Sequence, residues 1–224
     1  MAKTIKAIIF DVDGTLLDSV DLHAQAWVEA FGHFGVTVSH AAARSQIGKG
    51  GDQLMPVFLD RDRVARDGKA IESYRSDLFK RKFRSEVRPF PGVRPLFERL
   101  RGEGLTLALA SSGKAEEVEH YQQVLDIADL VDVVTTSDDA ERSKPYPDIF
   151  EAALAKLAPI GAAESLVIGD TPYDAEAAKK AGLTTIGVRC GGFPEADLRA
   201  AGCIALYRDP QDILDGYAAS PLAG

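Results

Sequence analysis

Short apolar runs recur along the chain, and from residue 90 onward they alternate with amphipathic segments. The runs have the length of buried β-strands, and the segments have the three- and four-residue spacing of helices. Predicted strands cover residues 5–10, 105–110, 131–135, 165–169 and 184–188, and predicted helices cover 93–102, 114–125, 147–157 and 172–181. This alternation predicts a parallel sheet with helices on both faces, which is a doubly wound α/β fold.

The gap between the first two predicted strands is too long for a simple crossover. It extends from Phe10 to Leu105, whereas a parallel crossover needs only about a dozen or more residues. Two helical stripes lie inside the gap, formed by His23, Trp27, Phe31 and Phe34 and by Ile71, Tyr74, Leu78 and Phe83. We therefore expect an α-helical cap domain over 18–88, inserted into a core domain made of 1–17 and 89–224. Such an insertion would close over the carboxyl edge of the sheet.

Composition and charge restrict the possible partners. The 224 residues, 46% of them hydrophobic, suffice for one core domain and a smaller companion. A net charge of −8 disfavours nucleic acid as a partner, and no apolar run approaches the ~20 residues that span a membrane. Two cysteines and a start without a signal-peptide apolar region favour a cytoplasmic protein. Residues 218–224 are expected to form a loose tail.

Two carboxylates stand directly behind the first predicted strand. Asp11 and Asp13 flank Val12 and are followed by Gly14. Burying such carboxylates costs free energy unless a metal or a reaction partner compensates for it, which favours a catalytic site. The alternative is an ordinary turn, because Asp and Gly are both favoured in turns.

Polar side chains also follow three later strands. Ser111 and Ser112 precede a helix, where they could bind an anion with the free amides or could simply cap the helix. Lys144 lies in a loop stiffened by two prolines, which an ordinary surface lysine does not need. Asp170 follows the fourth predicted strand, and Asp174 lies in the first turn of the helix that comes next. Helix capping explains one of these acids but not both. Because the carboxyl ends of parallel strands share one edge, we expect one site for a divalent cation and a phosphate.

With these motifs the chain resembles the haloacid dehalogenase superfamily of phosphohydrolases, in the branch with a helical cap. Four motifs match in order, namely Asp11-Val12-Asp13-Gly14-Thr15, Ser111, Lys144 followed by proline, and Gly169-Asp170-Thr171-Pro172-Tyr173-Asp174. The resemblance covers essentially the whole chain. It implies a Rossmann-like core with an inserted helical cap, Mg²⁺ as the cofactor and a small phosphomonoester as the substrate.

The resemblance also implies roles for individual residues. Asp11 would attack phosphorus and form an aspartyl-phosphate, and Asp13 would protonate the leaving alcohol and then activate water. The metal ligands would be the carboxylates of Asp11, Asp170 and Asp174 and the backbone carbonyl of Asp13, because a coordinated Asp13 carboxylate could not act as an acid. The phosphate-binding side chains would be those of Ser111, Ser112 and Lys144.

The cap segment bears on the choice of substrate. His23 resembles a residue of the sugar-phosphate branch, which includes β-phosphoglucomutase-like members, although packing within the cap is an equal alternative. Lys49 and Gly50 belong to a loop expected to face the site. Gly51 stands where the mutase pattern has an arginine, and Gly169 stands where mutases carry a glutamate. These differences favour a hydrolase acting on phosphoglycolate or a sugar phosphate over a mutase.

A phospho-ligand-binding protein without catalysis is the remaining alternative to an enzyme. Phosphate release from a suitable ester would distinguish the two. The sequence is compatible with either a monomer or a homodimer.

Overall fold

The fold is described from a computed structural model, and the structure describes residues 5–223. Its strands, in chain order, are β1 (Ala7–Phe10), β2 (Leu17–Asp18), β3 (Arg88–Pro89), β4 (Thr106–Ala110), β5 (Val133–Thr135), β6 (Ser165–Gly169), β7 (Thr184–Val188) and β8 (Ala205–Tyr207). Its α-helices are α1 (Val20–His33), α2 (His40–Arg44), α3 (Gly51–Phe58), α4 (Arg61–Lys82), α5 (Val93–Gly102), α6 (Ala115–Leu125), α7 (Asp148–Leu157), α8 (Pro172–Lys180), α9 (Glu195–Ala201) and α10 (Pro210–Asp215).

Six of the strands form one parallel sheet in the order β5-β4-β1-β6-β7-β8. Strand β1 is central, with Ile9 paired with Ala108 of β4 on one side and with Val167 of β6 on the other. The chain extends the sheet first toward β5 and then, after crossing back, toward β8. The order of strands therefore reverses around β1, which is where ligands bind in open parallel sheets.

The sheet separates two hydrophobic layers because successive side chains of a strand point to opposite faces. Ile8 and Phe10 of β1 pack in the layer with α5 and α6, and the ring of Phe10 stacks on Phe97 at 4.5 Å. Ala7 and Ile9 pack in the opposite layer with α7 and α8. The predicted doubly wound α/β fold is confirmed.

Helices α1 to α4 occupy the long gap after β1 and have a hydrophobic cluster of their own. Trp27 and Phe31 are buried in it, as the predicted stripe requires, while Phe34 is only partly buried. Strands β2 and β3 pair antiparallel, so the chain enters and leaves this helical segment side by side. The division into domains at 17/18 and 88/89 remains a prediction.

Three elements near the carboxyl end are missing from the sequence-based prediction. Strand β8 has only three half-buried residues at the sheet edge, and α9 and α10 are short. The expectation of a loose tail over 218–224 is wrong for the part that is described, because Leu222 is buried in the main core beside Tyr217. Gly224 lies outside the described residues.

Within residues 5–223, none of the helices combines the length and the apolar character that crossing a membrane would require.

Truncation of Leu222 tests whether the end of the chain belongs to the core. We expect Leu222→Ala to lower the free energy of unfolding by about 2–5 kcal/mol, because it removes buried methyl groups and leaves a cavity. Ile204→Ala is the matched control, since Ile204 is exposed and should change that free energy by less than about 0.5 kcal/mol. Urea unfolding of both variants decides, and equal small effects would mean that the tail is loose.

Candidate active site

Asp11 lies at the end of β1 because the sheet pairing continues one residue past the strand. Its N–H donates to the carbonyl of Ile168 at 2.9 Å, which fixes the backbone beside β6. The turn that follows requires glycine at position 14 for two reasons. Gly14 has a φ of +84°, and a Cβ there would lie 2.4 Å from Asp170 Oδ2. The tight turn therefore brings the first motif against the last one.

Lys144 lies at the centre of the site and is completely buried. Its Nζ donates to Asp11 Oδ1 at 2.5 Å and to the carbonyl of Ala110 at 3.1 Å, and forms an ion pair with Asp174 Oδ1 at 2.7 Å. Two of the three donors of the ammonium group are thus engaged in hydrogen bonds, while the contact with Asp174 Oδ1 is an ion pair without hydrogen-bond geometry. The alternative of an ordinary surface lysine is therefore wrong.

Asp174 serves two functions with its two oxygens. Oδ2 accepts hydrogen bonds from the N–H and hydroxyl of Thr171, and the N–H of Asp174 donates in return to Thr171 Oγ1, which completes a capping box at the start of α8. Oδ1 faces Lys144. Asp174 therefore caps the helix and also belongs to the site.

Burial and like charges dominate the electrostatics of this cluster. Burial raises the pKa of Asp11 to about 7, against the opposing attraction of Lys144. Burial, followed by the charges of Asp11 and Asp174, raises the pKa of Asp170 well above its ordinary value. Burial also lowers the pKa of Lys144, but the neighbouring carboxylates outweigh this effect and hold it above its usual value. The described groups leave negative charge that the lysine alone does not balance.

The donor set fits a hard divalent cation. Oxygens of Asp11, Asp170 and Asp174 lie within 4.8 Å of one another, and all three residues are buried. Asp170 Oδ2 has no hydrogen-bond partner among residues 5–223, although a buried carboxylate oxygen normally needs one. Carboxylate oxygens are the ligands that Mg²⁺ prefers. The arrangement is compatible with the expected cofactor.

The carboxylate of Asp13 is held apart from this cluster. Its Oδ1 accepts a hydrogen bond from the Ser19 hydroxyl at 2.6 Å and lies 2.9 Å from His23 Nε2. Burial by itself raises the pKa of Asp13, but His23 and Ser19 outweigh it and hold that pKa below its ordinary value. The ring of His23 stacks on Phe79 at 4.0 Å, so this histidine both packs within the helical segment and contacts the site.

The two serines after β4 differ in their surroundings. Ser111 is buried, and its Oγ accepts a hydrogen bond from the N–H of Gly113 at 3.0 Å. Ser112 lines the cavity, and its hydroxyl lies 3.4 Å from the carbonyl of Gly48. Neither caps α6, whose N-cap residue is Lys114, so the capping alternative is wrong.

A cavity of about 200 Å³ lies between the sheet edge and the helical segment. Asp11 and Asp13 line one side, and Lys49 and Gly50 line the other. The Nζ of Lys49 donates to Gln46 Oε1 at 2.6 Å, and burial lowers the pKa of this lysine. The structure thus brings the residues of the predicted site other than Ser111 to one cavity or to the cluster beside it, and Ser111 contacts Gly113, which lines the cavity. Their functional roles remain predictions.

The loop that carries Gly50 is fastened to the loop that carries Lys144. The N–H of Gly50 donates to Ser143 Oγ at 2.8 Å, and Ser143 donates to Asp52 through its N–H at 3.1 Å and its hydroxyl at 2.5 Å. A Cβ at position 50 would lie 2.7 Å from Ser143, so only glycine fits there. The helical segment therefore contacts the residue next to the buried lysine directly.

Three residues outside the list of predicted site residues also build the site. The Thr15 hydroxyl lies 3.1 Å from Asp11 Oδ2 and 3.0 Å from Asp170 Oδ1, so it bridges the first and last motifs. Ser19 is the N-cap residue of α1, but its hydroxyl bonds Asp13 instead of capping the helix. A Cβ at Gly191 would lie 1.7 Å from Asp170 Oδ2. Thr15 belongs to the first motif, whereas Ser19 has only the signal of an ordinary helix start and Gly191 has no signal in the sequence.

Comparison with known proteins places this geometry in a family. The family described as haloacid dehalogenase-like hydrolase matches residues 8–188. The chain therefore belongs to the haloacid dehalogenase-like hydrolase family, as its motifs predict.

Similar proteins include two named phosphatases. A phosphoglycolate phosphatase of Yersinia pseudotuberculosis is 31% identical over 194 residues, which cover 84% of this chain and 83% of the relative. A phosphorylated carbohydrates phosphatase of Thermotoga maritima is 27% identical over 215 residues, which cover 94% and 97% of the two chains. The structure of a hydrolase from Pseudomonas syringae has a TM-score of 0.85 at 29% identity and covers 96% of this chain and 98% of that one. These relatives agree with the expected class of enzyme.

Replacement of the buried lysine tests the charge balance of the cluster. In the presence of a chelator, we expect Lys144→Met to lower the free energy of unfolding by about 3–5 kcal/mol at about pH 8, because it leaves buried carboxylates without a cation. The loss should be smaller at about pH 5. Since folding raises the pKa of Asp11 to about 7, its contribution to stability is lost as the pH rises through that value. Lys144 opposes that loss, so its removal matters most at high pH.

Lys156→Met is the matched control for this experiment. Lys156 pairs with Asp139 at 2.7 Å on the surface, and removal of such a pair should cost less than about 1 kcal/mol. Urea unfolding at both pH values gives the four numbers needed. A cost for Lys144→Met that is no larger than the control, or that does not change with pH, would contradict the described charge balance.

Proposed function

We propose that this chain hydrolyses a small phosphomonoester with Mg²⁺ through a covalent aspartyl-phosphate on Asp11. The observation that carries the proposal is the buried cluster of Asp11, Lys144, Asp170 and Asp174 beside a cavity that Asp13 also lines. The phosphatases among the relatives support the same class of reaction.

Asp11 is suited to be the nucleophile because both of its oxygens are positioned. Lys144 holds Oδ1 and Thr15 lies against Oδ2, so the carboxylate cannot rotate freely. The lysine also opposes the effect of burial on the pKa of Asp11 and thereby favours the ionised, nucleophilic form. Attack by this carboxylate divides one difficult displacement into two easier ones.

The metal would be held by the carboxylates of Asp11, Asp170 and Asp174 and by the backbone carbonyl of Asp13. When bound, Mg²⁺ neutralises charge that develops on the transferring phosphoryl group. The orphaned Asp170 Oδ2 is the contact that most needs such a cation.

Asp13 is suited to move protons because it is held outside the carboxylate cluster. Ser19 and His23 fix its Oδ1, and its lowered pKa keeps it ionised in this state. That form suits the base that activates water for hydrolysis of the aspartyl-phosphate. A bound phosphate dianion raises the pKa of a neighbouring carboxylate, which favours the protonated form needed to protonate the leaving alcohol.

Phosphate oxygens would contact Ser111, Ser112 and Lys144 on the sheet side of the cavity. Two donors of Lys144 are hydrogen-bonded to protein oxygens, and its third donor would turn from its ion pair with Asp174 to the phosphate. The free-energy cost is small if a phosphate oxygen takes the place of the carboxylate oxygen that the ammonium group leaves.

The size of the cavity supports a small substrate. Ligand sites for drug-sized molecules commonly have volumes of about 300–1,000 Å³, whereas this cavity has about 200 Å³. A phosphate with a short organic group, such as phosphoglycolate, or a single sugar fits that range better than a nucleotide does.

Position 51 does not favour the mutase over the hydrolase. The position of the mutase arginine is Gly51, and a Cβ there would lie 3.0 Å from the carboxylate of Glu72. An acid beside that position does not suit the binding of a second phosphate.

Release of inorganic phosphate tests the proposed function. The panel comprises phosphoglycolate, sugar phosphates, nucleotides and p-nitrophenyl phosphate, each with Mg²⁺ or with chelator. We expect Mg²⁺-dependent release, and we expect Asp11→Asn to lower kcat by at least about 10³-fold because it removes the nucleophile. Asp62→Asn is the matched control, since Asp62 is an exposed residue of α4, and its rate should equal that of the native chain.

Two results would contradict the proposal. Release that persists in Asp11→Asn would mean that another group or a contaminant is responsible. Interconversion of a sugar phosphate without net phosphate release would indicate a mutase, and silence across the panel with retained phosphate binding would indicate a binding protein.

A further inference from the structure

One cation of the cavity has neither a hydrogen bond nor an ion pair within residues 5–223. Arg75, on α4, lines the cavity, and it forms no hydrogen bond and no ion pair with any residue between 5 and 223. Its Nε is buried without a partner, which is costly for a charged donor. Two other arginines of the same helix, Arg63 and Arg66, both pair with Asp67.

The guanidinium of Arg75 is held in place without being neutralised. It lies over the ring of Trp27, with Cζ 5.2 Å from the ring centroid, and such contacts orient the planar group. Glu72, one turn earlier on α4, also lines the cavity but forms no ion pair with Arg75 within the described chain. Glu117, a further acid of the cavity, accepts a hydrogen bond from the Tyr121 hydroxyl at 3.3 Å.

Arg75 lines the cavity that the leaving alcohol would occupy. In-line displacement puts the leaving oxygen opposite the attacking Asp11, toward the group that protonates it. That group would be Asp13, which lines the same cavity as Arg75, so the two side chains face the same space.

We propose that Arg75 binds an oxyanion carried by the alcohol part of the substrate. This enzyme would then prefer phosphomonoesters whose alcohol part is acidic over those whose alcohol part is neutral. The proposal rests on the proposed phosphatase function. A guanidinium matches the planar, two-oxygen geometry of a carboxylate, and it also binds a second phosphate. The small cavity favours a short carboxylic acid.

Pairs of substrates that differ in one acidic group on the alcohol part test this preference. The pairs are phosphoglycolate with ethyl phosphate, 3-phosphoglycerate with glycerol 3-phosphate, and glucose 1,6-bisphosphate with glucose 6-phosphate. For each pair, the ratio of kcat/KM for the acidic member to kcat/KM for the neutral member is measured from phosphate release. A carboxylate site gives high ratios in the first two pairs, and a second-phosphate site gives a high ratio only in the third.

We expect Arg75→Met to lower the favoured ratio by about 10- to 100-fold, the size of a charged hydrogen-bonded pair. Arg75→Lys should retain part of it, since lysine keeps the charge but loses the two-pronged geometry. Arg81→Met is the matched control, because Arg81 is an exposed residue of the same helix, and it should leave the ratio unchanged. Native ratios near one, or ratios that Arg75→Met does not alter, would overturn the proposal.

A binding measurement separates this proposal from the phosphatase function. In the Asp11→Asn background, calorimetry compares the affinity for phosphoglycolate with that for ethyl phosphate, with and without Arg75→Met. A preference for phosphoglycolate that disappears with Arg75→Met supports the proposal even if the native chain releases no phosphate. Equal affinities for phosphoglycolate and ethyl phosphate, both in Asp11→Asn alone and with Arg75→Met added, would contradict the proposal even if phosphate release by the native chain is rapid.

Discussion

The structure depends on the burial of three carboxylates around one lysine. Asp11, Asp170 and Asp174 are removed from water at the carboxyl edge of the sheet, and Lys144 lies among them with no exposed surface. Isolated charges in such surroundings are strongly disfavoured, and a single ammonium group balances only one of the three. Burial, together with the neighbouring negative charge, raises the pKa values of Asp11 and Asp170, and the arrangement is compatible with a divalent cation.

The fold meets this constraint by bringing remote segments together at one edge. Parallel strands β1, β4 and β6 end side by side, so residues that are distant in sequence meet at the ends of these strands. The capping box of Thr171 and Asp174 fixes one carboxylate through ordinary helix chemistry. Gly14 and Gly191 allow the backbone to approach Asp170 so closely that no side chain would fit. The helical segment then completes the cavity and adds Arg75 and His23.

The sequence allowed the central sheet and the motif residues to be predicted, because each depends on local pattern. Buried strands are continuous apolar runs, and carboxylates directly after such runs can be identified in the sequence. The missing parts depend on contacts that no local pattern records. Ser19 has the pattern of a helix cap, yet its hydroxyl bonds Asp13. Gly191 matters only because a carboxylate from another strand lies against it. Arg75 is one charge on a highly charged helix, and Leu222 stands in a short segment with no periodicity.

Binding of a cation to the cluster can be tested without any substrate. Scanning calorimetry compares the native chain with Asp170→Asn, in chelator and in Mg²⁺ at matched ionic strength. We predict that in chelator the variant unfolds at the same or a higher temperature than the native chain, because it carries one buried like charge fewer. We also predict that Mg²⁺ raises the unfolding temperature of the native chain much more than that of the variant, since binding to the folded state stabilises it. A variant that is less stable in chelator, together with an equal effect of Mg²⁺ on both proteins, would contradict the account.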